Sequence, residues 1–276
     1  MPAIAGATRQ ATLLLLVSLY TLLSGAPVLW VAVMSLRTTS EISADAYGWP
    51  APAHWEKFRI AWTTSHYGTY FWNSAAVVLL AVAGLTLVGS MAAHGLARYR
   101  FRGNRLVYFV LFSAIIFPPQ LTIISLFQVL VEYGLFNTRV GLALVYMAIQ
   151  LPLTFYILEG FFARIPQEYF DAAKIDGCSE LAVYWRMTLP IGLPAIATTI
   201  ILNLIELWNE FLYAVVLITD DEKRTLPLGI MRFMGDKLED IGMIATGMMI
   251  AIVPVIVVYA FCSERMIRGM TASVLK

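Results

Sequence analysis

Histidines, cysteines and paired carboxylates are few in this 276-residue chain, and they are not grouped for chemistry. His54, His66 and His94 stand far apart, with no His-Glu-x-x-His helix and no Cys/His cluster, so no metal site is expected. A Gly-x-Ser-x-Gly nucleophile elbow is missing, as is the Gly-x-x-x-x-Gly-Lys-Ser/Thr loop whose backbone cradles a nucleotide's phosphates. The chain is therefore expected to have no catalytic residue and to bind no cofactor itself. Work driven by ATP would need another subunit to hold the nucleotide. Cys178 and Cys262 give no disulfide framework.

Acidic side chains in apolar surroundings say more, because a charge at the centre of a membrane helix costs about 3 kcal/mol on insertion scales and tends to face a cavity or a partner. Glu159 lies near the end of an apolar run, and is read as reaching the interface or pairing with Arg164. Asn203, Glu206, Asn209, Glu210 and Tyr213 recur at steps of three and four, which places them on one broad helix face. Two readings of that stripe stand: lining of a translocation pathway, or polar contact between helices.

The stretch "DAAKIDGCSELAVYWRMTLP", 171–190, separates two long apolar runs yet carries seven ionisable side chains, counting Cys178 and Tyr184. Ile165-Pro166 predicts a helix start, with Pro at the first helical position where its missing N–H costs nothing. Asp176-Gly177 predicts the turn that stops this helix. A second short helix is expected from about Ser179 to Arg186, before Leu189-Pro190 hands the chain to the next apolar run. Ala172 and Ala173 leave room for close approach by a partner. Composition allows two readings of the hairpin, a docking joint or an amphipathic pair lying on lipid headgroups.

The elements that must position these groups follow from composition. With 59% hydrophobic and 13% charged residues and a mean hydropathy of +0.74, there is too little polar surface for a soluble domain of this length. Apolar runs at 11–36, 70–97, 106–131, 140–162, 191–218 and 241–263 meet the roughly 20 residues a spanning helix needs. They predict an all-α polytopic membrane protein of six spans. Barrel strands are excluded, since the runs do not alternate. Pro118, Pro119, Pro152, Pro194 and Pro254 are expected to kink their spans. The first run is too long for a cleavable signal peptide.

Orientation rests on basic residues, which favour the cytosolic side. "RYRFRGNR" (98–105) holds four arginines, and Arg164, Lys174, Arg186, Arg265, Arg268 and Lys276 fall on the same side. Arg37, Lys57, Arg59, Arg139, Lys223, Arg224, Arg232 and Lys237 fall on the other. The excess in the arginine loop places both termini in the cytosol.

Asp171-Ala172-Ala173, three residues, Gly177, nine residues and Met187-Thr188-Leu189-Pro190 resemble the EAA coupling loop of permease subunits in bacterial binding-protein-dependent ABC importers. Asp171 and Met187 stand where that pattern has Glu and Ile. "GLARYRFRGNR", "YGLFNTRVGLAL", "LPLTFYILEGFFARIPQEYFDAAKIDG", "WNEFLYAVVL", "TLPLGI" and "RMIRGMTASVLK" extend the likeness over most of the chain. They are similar to the carbohydrate-uptake class, in particular to the smaller permease of the maltose importer. The resemblance implies one transmembrane domain over 1–276 in the bacterial cell membrane, with a cytosolic coupling loop at 163–190. It implies a second permease, two ATP-binding subunits carrying ATP and Mg, and an extracytoplasmic solute-binding protein. Glu168, Asp171, Ala172, Ala173, Lys174, Asp176, Gly177, Leu189 and Pro190 would then couple to the ATPase.

Within that picture the external loop 219–240 is too charged for lipid but apolar at its centre. Leu226, Pro227, Met231 and Phe233 are expected to reach the binding protein. Glu206 and Glu210 would repel an anion in the pathway, whereas Trp208 and Tyr213 offer faces on which sugars stack, so a neutral sugar is expected. The alternatives are a glycerol-phosphate-type solute or, in a different class, a secondary transporter; the latter would need repeats that the two halves do not show.

Overall fold

In the computed structural model the backbone is described for residues 2–234 and 240–274, and the side chains for all of these except 2–9, 11, 119 and 263–274. Lys237 and Lys276, and the side chains of Arg265 and Arg268, lie outside the described residues. The helices are α1 (Pro2–Ser35), α2 (Thr39–Ala44), α3 (Glu56–Thr63), α4 (Tyr67–Arg98), α5 (Asn104–Ser113), α6 (Ile123–Glu132), α7 (Arg139–Phe162), α8 (Gln167–Ile175), α9 (Glu180–Val183), α10 (Leu189–Trp208), α11 (Leu212–Leu217), α12 (Leu226–Gly229) and α13 (Ile241–Val274). No strand occurs among the described residues.

Five of the described helical segments are long and apolar enough to cross a membrane: Thr12–Ser35, Tyr67–Arg98, Arg139–Phe162, Glu180–Trp208 and Ile241–Cys262. The run expected as a single span at 106–131 is broken. Helix α5 stops at Ser113, Pro118 is extended (φ −60°, ψ 118°), and a 3-10 turn at Pro119–Thr122 leads into α6. Consecutive prolines remove two amide donors and bar the helical region to the residue before each, which accounts for the break. Five unbroken helices and one broken apolar segment therefore stand where six spans were expected.

Two compact units are present. The first comprises residues up to Gly68 together with Gly229–Val253. Here the Lys57 ammonium, buried, donates to the carbonyls of Arg37 (2.5 Å) and Gly242 (2.7 Å). Burial pushes its pKa down to about 8. Thr38 and Glu41 close a capping box at the start of α2, which satisfies two amides that would otherwise be orphaned. Thr246 Oγ1 donates to the Ser35 carbonyl at 3.0 Å, joining α13 to the end of α1.

The second unit comprises Thr69–Leu228 and the residues from Pro254. Its centre is α4, α7 and α10, packed through Val77, Leu85, Leu142, Tyr146 and Leu207 in one cluster, and through Ala93, Phe155, Leu158, Phe162 and Ile196 in another. Small residues set the close approach: a Cβ at Gly192 would collide with the Phe162 ring, and one at Gly84 with the Met147 side chain. Asn137 (φ 55°) accepts from the amides of Thr219 and Asp220 at 3.1 Å each, fastening the end of α11 to the turn before α7.

Candidate functional site

The hairpin forms where its sequence predicts it, with two adjustments. Pro166 is the residue just before α8 (φ −56°, ψ 140°) rather than its first helical residue. The second arm is not a separate helix: Ser179 caps α9, a π-helical turn spans Tyr184–Thr188, and the chain runs on without a break into α10. Leu189 and Pro190 open α10 directly after the π turn, and because the helical segment is continuous the amide donor that Pro190 lacks is missing from its interior. The shell of α10 therefore begins in the hairpin itself, and Glu180–Trp208 is one 29-residue helical segment.

Between the arms, Gly177 adopts φ +76°, with open space where a Cβ would stand. The left-handed turn lets its amide close onto the Lys174 carbonyl at 3.0 Å and that of Cys178 onto the Ala173 carbonyl at 3.0 Å. Lys174 and Glu180 bridge the arms at 3.1 Å.

Helix α8 is two-faced. Phe170 and Ala173, one turn apart, are buried against the cluster of Phe162, Val183 and Ile196. Glu168, Asp171, Ala172, Lys174 and Asp176 are exposed. The expectation that Ala172 and Ala173 together face a partner is thus corrected: Ala173 packs inward, and only Ala172 is open. Sequence reasoning passed over Ile175, which is 86% exposed, and Tyr169, 54% exposed. For Ile175 the signal was its i, i+4 relation to Asp171, opposite the buried Phe170–Ala173 pair.

The end of α4 holds the hairpin in place. Arg98 Nη2 donates to the carbonyls of Phe162 and of Ile165 (2.9 Å for the latter), and its guanidinium carbon lies 3.9 Å from the Phe170 ring centroid. One turn back, His94 Nδ1 meets the Thr188 hydroxyl at 3.0 Å, and the Ser90 and Tyr184 hydroxyls are 2.7 Å apart. Both residues contacted on the second arm, Tyr184 and Thr188, bound the π turn. The Tyr99 hydroxyl donates to Glu180, and burial pushes its pKa up to about 12.

The polar stripe does not form one helix face, because α10 ends at Trp208 and the chain restarts as α11 at Leu212. Asn203 is buried and donates to Thr154 Oγ1 on α7 at 2.8 Å. Glu210 accepts from the Tyr146 hydroxyl at 2.7 Å and from the amides of Tyr213 (2.8 Å) and Ala214 (3.2 Å), so its carboxylate caps α11. Tyr213 is buried, its hydroxyl 3.3 Å from that of Thr122. Those three side chains make contacts between helices; Glu206 and Asn209 are exposed. Trp208 borders an apolar cavity of about 210 Å³, with Phe71, Leu204 and Val258.

In the loop after α11, Leu226 is fully buried, its amide donating to Ser74 Oγ at 2.8 Å, so it cannot itself touch a partner. Pro227 is half-buried and Met231 is 41% exposed, while Phe233 stacks on Tyr67 with ring centroids 5.3 Å apart.

The chain is 37% identical over 241 residues, 87% of its length and 80% of the relative's, to the diacetylchitobiose uptake system permease protein NgcG of Streptomyces coelicolor. It is 32% identical over 272 residues, 98% of each chain, to the trehalose transport system permease protein SugB of Mycobacterium tuberculosis. In fold it is similar to a chain of a bacterial ABC transporter involved in import of the acidic polysaccharide alginate, with a TM-score of 0.79 at 20% identity, covering 94% of this chain and 97% of that one. Residues 85–273 match the family described as binding-protein-dependent transport system inner membrane component, and the chain belongs to that family.

Proposed function

We propose that this chain is one of two permease subunits in an ATP-driven importer, and that it forms half of the pathway for a sugar or sugar derivative delivered by an extracytoplasmic binding protein. The hairpin supports this reading most directly. Its inner face is locked to α4 and α7, its second arm is continuous with α10, and Asp171, Ala172 and Ile175 remain open for another protein. Such a part transmits a push from outside the bilayer into three membrane helices. Glu168, Lys174, Asp176 and Gly177 complete the joint with an ATP-binding subunit, which would carry the ATP and Mg. Two such subunits close on ATP, the permeases open outward to receive the solute, and hydrolysis resets them.

The names of relatives such as the diacetylchitobiose and trehalose permeases favour an oligosaccharide or disaccharide. In this reading Met231, exposed between α12 and α13, contacts the binding protein. The hairpin and both termini are cytosolic.

Reconstitution of the full complex tests the proposal. Loaded binding protein should stimulate ATP hydrolysis, and Asp171→Lys should abolish that stimulation with the chain still inserted. Stimulation at the wild-type level in Asp171→Lys would refute the joint. Orientation is tested separately: in a background lacking Cys178 and Cys262, cysteines placed at Arg102 and Glu222 should react with an impermeant reagent from opposite sides.

A further inference from the structure

The connection from α4 to α5 and the one from α7 to α8 line an open cleft of about 1160 Å³. Arg98, Arg100, Arg105 and Arg164 line it, against a single acid, Glu168. Arg100 and Arg105 are exposed and have no ion pair among the described residues. The buried Nε of Arg98 has no hydrogen-bond partner among them either. Beside the cleft α5 begins, and it turns Leu106 (66% exposed), Phe109 (65%) and Val110 (56%) outward on one face. A pocket with an excess of positive charge, in which Arg100 and Arg105 have no ion pair among the described residues, thus adjoins an outward apolar strip at the end of a membrane helix.

We propose that this cleft binds the headgroup of an anionic phospholipid, whose acyl chains lie along the Leu106–Phe109–Val110 face. A phospholipid satisfies both halves at once, with its headgroup among the arginines and its chains along the strip. An acidic side chain or a free phosphate would meet the arginines alone. Arginines that served orientation alone would not need to converge on one cleft. The inference rests on α4 and α5 being membrane segments and does not depend on the coupling role of the hairpin.

The test is lipid binding by the delipidated complex with its partner subunits, measured by native mass spectrometry with phosphatidylglycerol or phosphatidylcholine added. Wild type should prefer the anionic lipid by about tenfold or more. The double variant Arg100→Gln/Arg105→Gln should lose most of that preference. So should Ala163→Trp, which fills the cleft from a position of ordinary helical backbone (φ −61°) and leaves every charge in place. Millimolar inorganic phosphate should not displace the lipid. An undiminished preference in either variant, or displacement by inorganic phosphate, would overturn the proposal; retention in Ala163→Trp alone would mean that diffuse surface charge, not the cleft, attracts the lipid.

Discussion

The guanidinium of Arg98 stands over the ring of Phe170, 3.9 Å from its centroid, while the same group donates to the carbonyls of Phe162 and Ile165. The last residue of α4 is therefore tied to the end of α7, to the turn that follows it and to the buried face of α8. A force on α8 reaches α4 through this side chain and through the packing of Phe170 and Ala173 with Ala93 and His94, and α10 through the continuous second arm.

Replacing Arg98 separates those paths. A charge-assisted hydrogen bond contributes about 1.5–3 kcal/mol, and a cation over an aromatic face adds about 0.5–2 kcal/mol. Arg98→Ala should cut the ATPase response to loaded binding protein severalfold, with basal hydrolysis by the motor subunits retained. Arg98→Lys should fall between, since an ammonium keeps the charge but lacks the planar fork that reaches two carbonyls while stacking. An unchanged response in Arg98→Ala would show that Arg98 does not carry the path between α8 and α4.

Gly177 makes a different demand. No atom lies within 4 Å of its would-be Cβ, so a substitution meets no collision, only the left-handed φ of +76°. That conformation costs an L-residue about 1–2 kcal/mol, more for a β-branched one and less for Asn. Transport should therefore rank Gly177, Asn, Ala, Val in falling order. A ranking that followed side-chain volume instead, with Asn worse than Ala, would place the constraint in a partner's surface rather than in the turn.

The left-handed turn was legible because Asp-Gly after a short amphipathic helix has few alternatives, and the long apolar runs because a bilayer demands length. The facing of Ala173 was not, since two adjacent alanines give a nine-residue helix no preference between its sides; Phe170 decides it by packing against Phe162. Nor was the break after Trp208. Neither Gly nor Pro marks it, and it depends on Glu210 capping α11 while accepting from Tyr146, a residue 64 positions earlier. Periodicity ran straight through that break and grouped Glu210 and Tyr213 with Glu206 and Asn209, which face elsewhere.

Substitutions along this stretch should divide accordingly. Glu210→Gln replaces one acceptor oxygen with a donor amide, from which the Tyr146 hydroxyl can accept but which leaves the amide of Tyr213 or Ala214 unmatched, and should reduce the yield of assembled complex. Asn203→Ala should cost about 1 kcal/mol, the scale of a hydrogen bond between membrane helices, visible as a lower melting temperature. Asn209→Ala and Glu206→Gln should leave assembly intact and change solute affinity or transport rate. Normal assembly with Glu210→Gln would restore it as a candidate pathway residue.

A pH-dependent contribution is built into the loop between α1 and α3. His54 Nδ1 lies 2.8 Å from Glu56 and Nε2 lies 3.2 Å from Glu41. Hydrogen bonds to Glu56 and then Glu41 raise the histidine's pKa; the Thr38 backbone amide first, then His54, lowers that of Glu41. The raised histidine stabilises the fold fully below its ordinary value of about 6.5, and that contribution fades as pH climbs through the folded value. The depressed carboxylates contribute above their ordinary range near 4.3, fading as pH falls through the folded values. The melting difference between wild type and His54→Gln should thus be largest at about pH 5–6.5 and vanish by about pH 8.5. A difference constant across that range would mean that the ring acts through shape alone.

Ile175 gives the sharpest test of what the hairpin is for. At 86% exposure it contributes almost nothing to the packing of its own chain, and it sits on the last turn of α8 beside the Asp176-Gly177 turn. On the joint reading it inserts into an apolar hollow of the ATP-binding subunit, while Asp171, one turn away, pairs at the rim; on the interfacial reading it dips into lipid. Full burial of such a side chain contributes about 1.5–3 kcal/mol. Ile175→Ala should weaken binding of purified ATP-binding subunits by roughly tenfold, and Ile175→Asp should release them, with the melting temperature of the isolated permease pair unchanged in both. If the side chain met lipid instead, Ile175→Asp would leave motor binding at wild-type affinity and alter only the depth of a fluorophore placed at Tyr169, and the role of α8 as the coupling joint would fall with it.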